Sequence, residues 1–92
     1  MLYMTILTWE PGKRDAVIER SKKIGFGHPG GKVIGTWVES NGGRAYQLLD
    51  IPRDMDPALS IKHNFAWNDI MKLESNPVVD AAEMLKLIES IK

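Results

Sequence analysis

Lys32-Val33-Ile34-Gly35-Thr36-Trp37-Val38-Glu39, then Ser40-Asn41-Gly42-Gly43, then Arg44-Ala45-Tyr46-Gln47-Leu48-Leu49-Asp50-Ile51 has the pattern of a β-hairpin. Both arms are rich in β-branched, aromatic and aliphatic residues. The link supplies an asparagine and two glycines, which tolerate the positive φ of a tight turn. In the first arm Val33, Gly35, Trp37 and Glu39 share one face, and Ile34, Thr36 and Val38 the other. In the second, Ala45, Gln47, Leu49 and Ile51 alternate with Arg44, Tyr46, Leu48 and Asp50. The hairpin is predicted to form the middle of a small sheet.

On either side, strand and helix patterns alternate. Leu2 to Trp9 is short and apolar on both faces, with Leu2, Met4, Ile6 and Thr8 pointing one way and Tyr3, Thr5, Leu7 and Trp9 the other. Pro11 opens a helix running to Ile24, with Ala16, Val17, Ser21 and Ile24 as its apolar stripe and Gly25 as its stop. Gly25 to Gly31 is a glycine-rich loop. Asp56-Pro57 caps and starts a second helix, in which Ala58, Leu59, Ile61, Phe65 and Ala66 fall on one arc. Trp67 falls opposite that arc, so either the helix ends near Ala66 or Trp67 packs on something beyond its own core. Ile70 to Val79 is a fourth strand, placed at a sheet edge by Pro77. Asp80 and Glu83 open a last helix with Ala81, Met84, Leu85, Ile88 and Ile91 as its stripe.

The order is βαββαβ with an extra C-terminal helix, a ferredoxin-like α+β fold with an antiparallel four-stranded sheet. Right-handed crossovers put both connecting helices on one sheet face. The other face is expected to carry Tyr3, Thr5, Leu7 and Trp9 with Trp37, Gln47 and Leu49, too apolar to stay wet. A second copy covering it predicts a two-fold dimer.

Composition narrows the function classes. With 92 residues the chain fits one domain, residues 1–92. It has no cysteine, so disulfides and thiolate metal sites are excluded. Lys plus Arg is 12 and Asp plus Glu is 12, without the basic excess of a nucleic-acid or anionic-membrane protein. No apolar run spans a bilayer, and the start lacks the basic region of a signal peptide. The expectation is a cytoplasmic protein with no membrane and no nucleic-acid partner. The basic surface of Lys13, Arg14, Arg20, Lys22 and Lys23 reads as a solvated helix face.

Several segments carry a resemblance. The Met1-Leu2-Tyr3-Met4 start, Val33-Ile34-Gly35-Thr36-Trp37, the Gly42-Gly43 turn, Trp67-Asn68-Asp69-Ile70, and Glu74 with Pro77-Val78 resemble a family of short bacterial and archaeal proteins of unknown function. That family is similar in turn to the dimeric α/β-barrel superfamily. The resemblance implies a homodimer whose two sheets face each other as an α/β barrel. The superfamily includes cofactor-independent monooxygenases, haem-degrading and chlorite-converting enzymes, muconolactone isomerases and ligand-sensing domains of transcription regulators. No motif of the haem-using members maps onto this sequence, and fold membership does not give function.

Candidate site residues are few. His28 and His63 are the only histidines, with no further ligand at metal spacing, so no metal site is expected. His63 flanks the apolar arc of the second helix and is the one catalytic candidate, as a base or proton shuttle. A helix-edge histidine with a local hydrogen bond is the commoner outcome. Tyr3, Trp9, Trp37 and Gln47 are candidate ligand-binding residues lining a barrel interior, where aromatics and a few polar groups suit a small molecule. The same aromatics also suit a dimer core. Glu39 and Glu74 are candidate inward carboxylates, with surface positions at strand ends the commoner outcome. The glycine-rich loop lacks the Lys-Ser/Thr pair of a phosphate loop and precedes a strand.

The expected protein is therefore a homodimeric barrel domain without a cofactor, binding or sensing a small apolar or aromatic molecule. The alternatives are a cofactor-independent monooxygenase- or isomerase-like enzyme, and a structural interaction module with a filled barrel.

Overall fold

The computed structural model describes residues 1–91. Strands and helices follow as β1 (Leu2–Thr8), α1 (Arg14–Ile24), β2 (Lys32–Val38), β3 (Arg44–Asp50), α2 (Pro57–Phe65), β4 (Lys72–Val78) and α3 (Ala81–Ile91). A 3₁₀ turn at Pro11–Lys13 leads into α1. The strands form one antiparallel sheet in the order β2-β3-β1-β4. This is the ferredoxin-like α+β arrangement, with α3 appended. Pro77 sits in edge strand β4, where proline is tolerated.

The hairpin closes through its turn residues. Gly42 adopts φ 75°. Its N–H donates to the Glu39 carbonyl at 2.8 Å, and Asn41 Oδ1 accepts from the Gly43 N–H at 3.0 Å. A side chain at Gly42 would be strained in this left-handed region.

One sheet face is covered and the other bare, the reverse of the expectation. Thr5, Leu7, Ala45, Gln47 and Leu49 are buried beneath the helices. The bare face carries Leu2, Met4, Ile6 and Thr8, opposite Asp50, Leu48, Tyr46 and Arg44. Trp37 lies on this bare face, opposite Tyr46 and not beside Gln47. Two causes account for the reversal. β1 is apolar on both sides, so its alternation does not say which side the helices take. A bulge then separates Val33, opposite Leu49, from Gly35, opposite Leu48. The extra residue resets the alternation, leaving Val33 on the covered face and Trp37 on the bare one. The Trp37 ring lies over Gly35 so closely that a β-carbon there would strike it.

The core occupies one end of the covered face. Leu7, Val17, Ala45, Trp67, Ile70 and Met71 form it, with Phe26 and Trp9 packed against it. α2 ends at Phe65, with Ala66 as its cap. Trp67 thereby leaves the helix and stacks on Phe26, ring centroids 5.3 Å apart and 6° from parallel. Ile61 and Phe65, expected to face inward, are 55% and 73% exposed. The inward residues of α2 are Leu59, His63 and Ala66, spaced by four and three. β4 starts two residues later than predicted, because Ile70 and Met71 turn inward to fill the core. Of the predicted α1 stripe, Val17 is buried, Ser21 half-buried, and Ala16 and Ile24 exposed. Arg20 donates to Asp69 Oδ1 and Oδ2 at 2.5 and 2.9 Å and to the Ala66 carbonyl at 2.9 Å, tying α1 to the turn after α2. The guanidinium holds the Asp69 carboxyl below its ordinary range.

α3 begins as predicted, with Asp80 Oδ1 accepting from the Ala82 N–H at 2.8 Å. Every residue of the helix is exposed. The radius of gyration is 15.1 Å. A compact chain this long would measure about 12 Å. No helix of the described residues is long and apolar enough to cross a membrane.

Candidate functional site

A polar row crosses the covered face of the sheet. Ser75, Thr5, Gln47 and Thr36 stand opposite one another on the four strands. Thr5 Oγ1 and Ser75 Oγ are 2.8 Å apart. Gln47 Nε2 donates to the Phe26 carbonyl at 2.6 Å and to Thr36 Oγ1 at 3.3 Å, while its Oε1 is buried without a partner. On one side of this row lies the Leu7–Trp67 core. On the other is a pocket of about 430 Å³.

Each wall of the pocket comes from a different element. The sheet contributes Tyr3, Leu49 and Ser75, and α2 contributes Ser60, His63 and Asn64. Ile51, Arg53 and Met55 come from the end of β3 and the segment before α2, and His28 from the glycine-rich loop. Gly30 packs so close to Met55 Sδ that a β-carbon would collide with it, so the loop that carries His28 lies against the segment before α2. The volume suits a small organic molecule.

The two histidines meet at this pocket, ring centroids 4.5 Å apart and tilted by 37°. His28 Nδ1 accepts from the Gly30 N–H at 3.0 Å, so a neutral His28 carries its proton on Nε2. His63 is 7% exposed, and its Nε2 is buried without a hydrogen-bond partner. Burial pushes the His63 pKa down to about 4, and repulsion from His28 adds to this. Burial also pushes His28 below its ordinary value. Near neutral pH the pair is therefore uncharged. An unpaired buried polar atom costs about 1–3 kcal/mol, which a ligand's polar group reaching it would recover. At neutral pH the His63 imidazole is free to accept a proton, but with a pKa near 4 it is a weak base.

The depressed His63 pKa has a consequence for stability. Between about pH 6.5 and 4 the unfolded chain protonates this histidine while the folded chain does not. Stability is complete above the unfolded value and falls as the pH drops toward 4. The loss between pH 7.5 and 4.5 is about 2–3 kcal/mol. Urea unfolding across that range is expected to show a steeper decline for the native protein than for His63→Leu. Equal declines would remove His63 from the account.

The structure does not bring the expected ligand-binding residues together. Tyr3 lines the pocket. Gln47 lies in the neighbouring polar row, Trp37 on the bare face, and Trp9 in a groove at the other end with Asp69 and Lys72. Glu39 accepts from the Tyr46 hydroxyl. Glu74 pairs with Lys72 at 2.9 Å, which holds its carboxyl below the ordinary range. Neither carboxylate lines the pocket. Among the described residues no group of three or more His, Cys, Asp or Glu could hold a metal ion.

Sequence reasoning missed His28, Arg53, Ser60 and Asn64 as members of one site. Only the Leu59–His63–Ala66 spacing, which puts His63 on the inward arc of α2, was available as a signal.

A family model for a domain of unknown function (DUF3303) matches residues 1–92. The chain belongs to that family. No curated protein matches the sequence. Among solved structures, a formyltetrahydrofolate deformylase from Pseudomonas putida KT2440 is similar at a TM-score of 0.44 and 14% identity. The match covers 84% of this chain and 28% of the deformylase chain. The ferredoxin-like arrangement of this DUF3303 member rests on its own element and strand order, and its candidate site is defined by its own residues.

Proposed function

We propose that this domain binds a small, largely apolar molecule in the pocket between α2 and the sheet, and that it works as a homodimer joined through the bare sheet face. The carrying observation is the buried His63, unpartnered at Nε2, in the wall of a pocket of about 430 Å³. The anticipated seat between two sheets requires a second copy; this one is complete within a single chain. A structural module with a filled interior would leave the pocket unexplained.

A thermal-denaturation screen of small aromatic and aliphatic compounds tests the binding. A ligand at 100 times its Kd adds about 2.7 kcal/mol of stability. A compound that raises Tm for the native protein but not for Ser60→Trp, which fills the pocket, supports the reading. Compounds that stabilise both proteins equally count against it.

The enzyme alternative rests on the neutral His63 at the pocket wall. A monooxygenase- or isomerase-like reaction would consume the stabilising compound under oxygen, at a rate abolished in His63→Ala. Recovery of the compound unchanged favours binding alone.

A further inference from the structure

We propose that the pocket beneath α2 selects a small monocarboxylic acid, seating its ionised carboxylate at the His28–His63 pair near Arg53 and its apolar body against Ile51, Met55 and Pro57, and that binding draws a proton into the imidazole pair. The inference rests on the reading of this pocket as a ligand site and names the ligand class.

The charge of the walls argues first. No Asp or Glu is among the described lining residues, although the chain has 12 of them. Arg53 supplies a fixed positive charge, and two imidazoles can each accept a proton. His28 from the loop packs against His63, Tyr3 from β1 and Arg53 from the segment before α2 line the same pocket, and Lys62 is its neighbour on α2. Arg53 and the two protonatable imidazoles favour an anion over a cation.

The imidazoles argue second. Burial keeps both neutral, and His63 Nε2 has no hydrogen-bond partner within the protein. An entering carboxylate is an opposite charge at close range, which reverses that balance. One proton from solvent then converts one imidazole to imidazolium. The bound pair is carboxylate and imidazolium, and no bond of the ligand changes.

The apolar wall sets the rest of the ligand. Leu49, Ile51, Pro52, Met55 and Pro57 offer hydrocarbon surface. A phosphate would instead want several free backbone N–H groups. The α2 N-terminus at the pocket edge has none to spare in its first positions: Pro57 carries no N–H, and the Ala58 N–H already donates to Asp56 Oδ1 at 3.0 Å.

The test compares phenylacetate, phenylacetamide and 2-phenylethylamine by titration calorimetry in buffers of different ionisation enthalpy. Phenylacetate is expected to bind at least about tenfold more tightly than the amide, with the amine weakest. At pH 7 it is expected to take up close to about one proton per site, and its affinity to fall about tenfold per pH unit at higher pH. Arg53→Gln is expected to weaken the acid and not the amide, and His63→Gln to lower the proton uptake. Should His63→Gln fold poorly, NMR of the native imidazoles replaces it: phenylacetate moves the His28 or His63 titration upward. Equal affinity for acid and amide without proton uptake overturns the acid selection and leaves the ligand reading intact. Acid binding that moves neither imidazole places the acid elsewhere and also overturns it. If none of the three binds, the acid selection fails, and the ligand reading rests on the stabilisation screen alone.

Discussion

Trp67→Ala is expected to remove about 3–5 kcal/mol of stability, the usual cost of emptying an aromatic core site. Trp67 is 2% exposed, stacks on Phe26, and packs with Leu7, Val17 and Ala45. Its carbonyl also accepts from the Ile70 and Met71 N–H groups at 3.0 and 3.1 Å, so it anchors the turn that sends both side chains inward. A domain of this size has only about 5–14 kcal/mol in total, so the variant keeps a minor share. Phe65→Ala, two residues earlier, is expected to change stability by no more than about 0.5 kcal/mol, because Phe65 is 73% exposed. Urea unfolding followed by circular dichroism separates the two. The contrast is sharp because helical periodicity alone ranks these aromatics the other way round. A Trp67→Ala cost below about 1 kcal/mol would mean that the Phe26 stack does not hold the core.

The same pair shows what the sequence made legible and what it hid. The hairpin was legible because its turn is local chemistry: an asparagine, a glycine at positive φ, and alternation on both sides. The sheet order was legible only in part: βαββαβ with right-handed crossovers leaves few arrangements, but the hairpin expected in the middle has β2 at the edge, and β3 pairs with β1 at the centre. The covered face was hidden because Leu2, Met4 and Ile6 are as apolar as Tyr3, Leu7 and Trp9. In β2 only Gly35 hints at the bulge after Val33, and a glycine alone does not fix which face Trp37 takes. Trp67 was legible only as a conflict, a tryptophan on the wrong side of its helix, which the helix resolves by ending at Phe65.

The site was legible at a single residue. His63 was picked out, but its partner His28 lies thirty-five positions away in a loop that reads as plain connection. That loop earns its glycines by proximity, since Gly30 must pass Met55 without a β-carbon. Arg53, Ser60 and Asn64 are ordinary surface residue types. Only the tertiary placement of α2 over Tyr3, Leu49 and Ser75 turns them into a wall. Pockets assembled from four separate segments leave no local pattern to read.

Leu48→Asp is expected to convert the protein from a dimer to a monomer without unfolding it. Leu48 sits in central strand β3 on the bare face, opposite Met4 on one side and Gly35 on the other, with Ile6, Trp37 and Tyr46 nearby. A face that apolar is stable in water only when covered. The helices have already taken the other side. A second copy is the occupant that matches it, because a two-fold interface sets the same patch against itself. α3 supports the same conclusion: its eleven residues expose Met84, Leu85 and Ile88 and bury none. Isolated helices shorter than about 12–15 residues are marginal in water, so a partner copy covering this stripe would stabilise α3. Light scattering at micromolar concentration is expected to give twice the 10.4 kDa chain mass for the native protein. For Leu48→Asp it is expected to give the chain mass alone, with unchanged circular dichroism. The two-fold axis enlarges the effect, since one substitution brings two carboxylates into the same apolar interface. Burying each without a partner costs several kcal/mol, which raises Kd by about a thousandfold or more. A single-chain mass for the native protein would overturn the dimer, and the exposed Trp37 face and α3 stripe would then await a different protein.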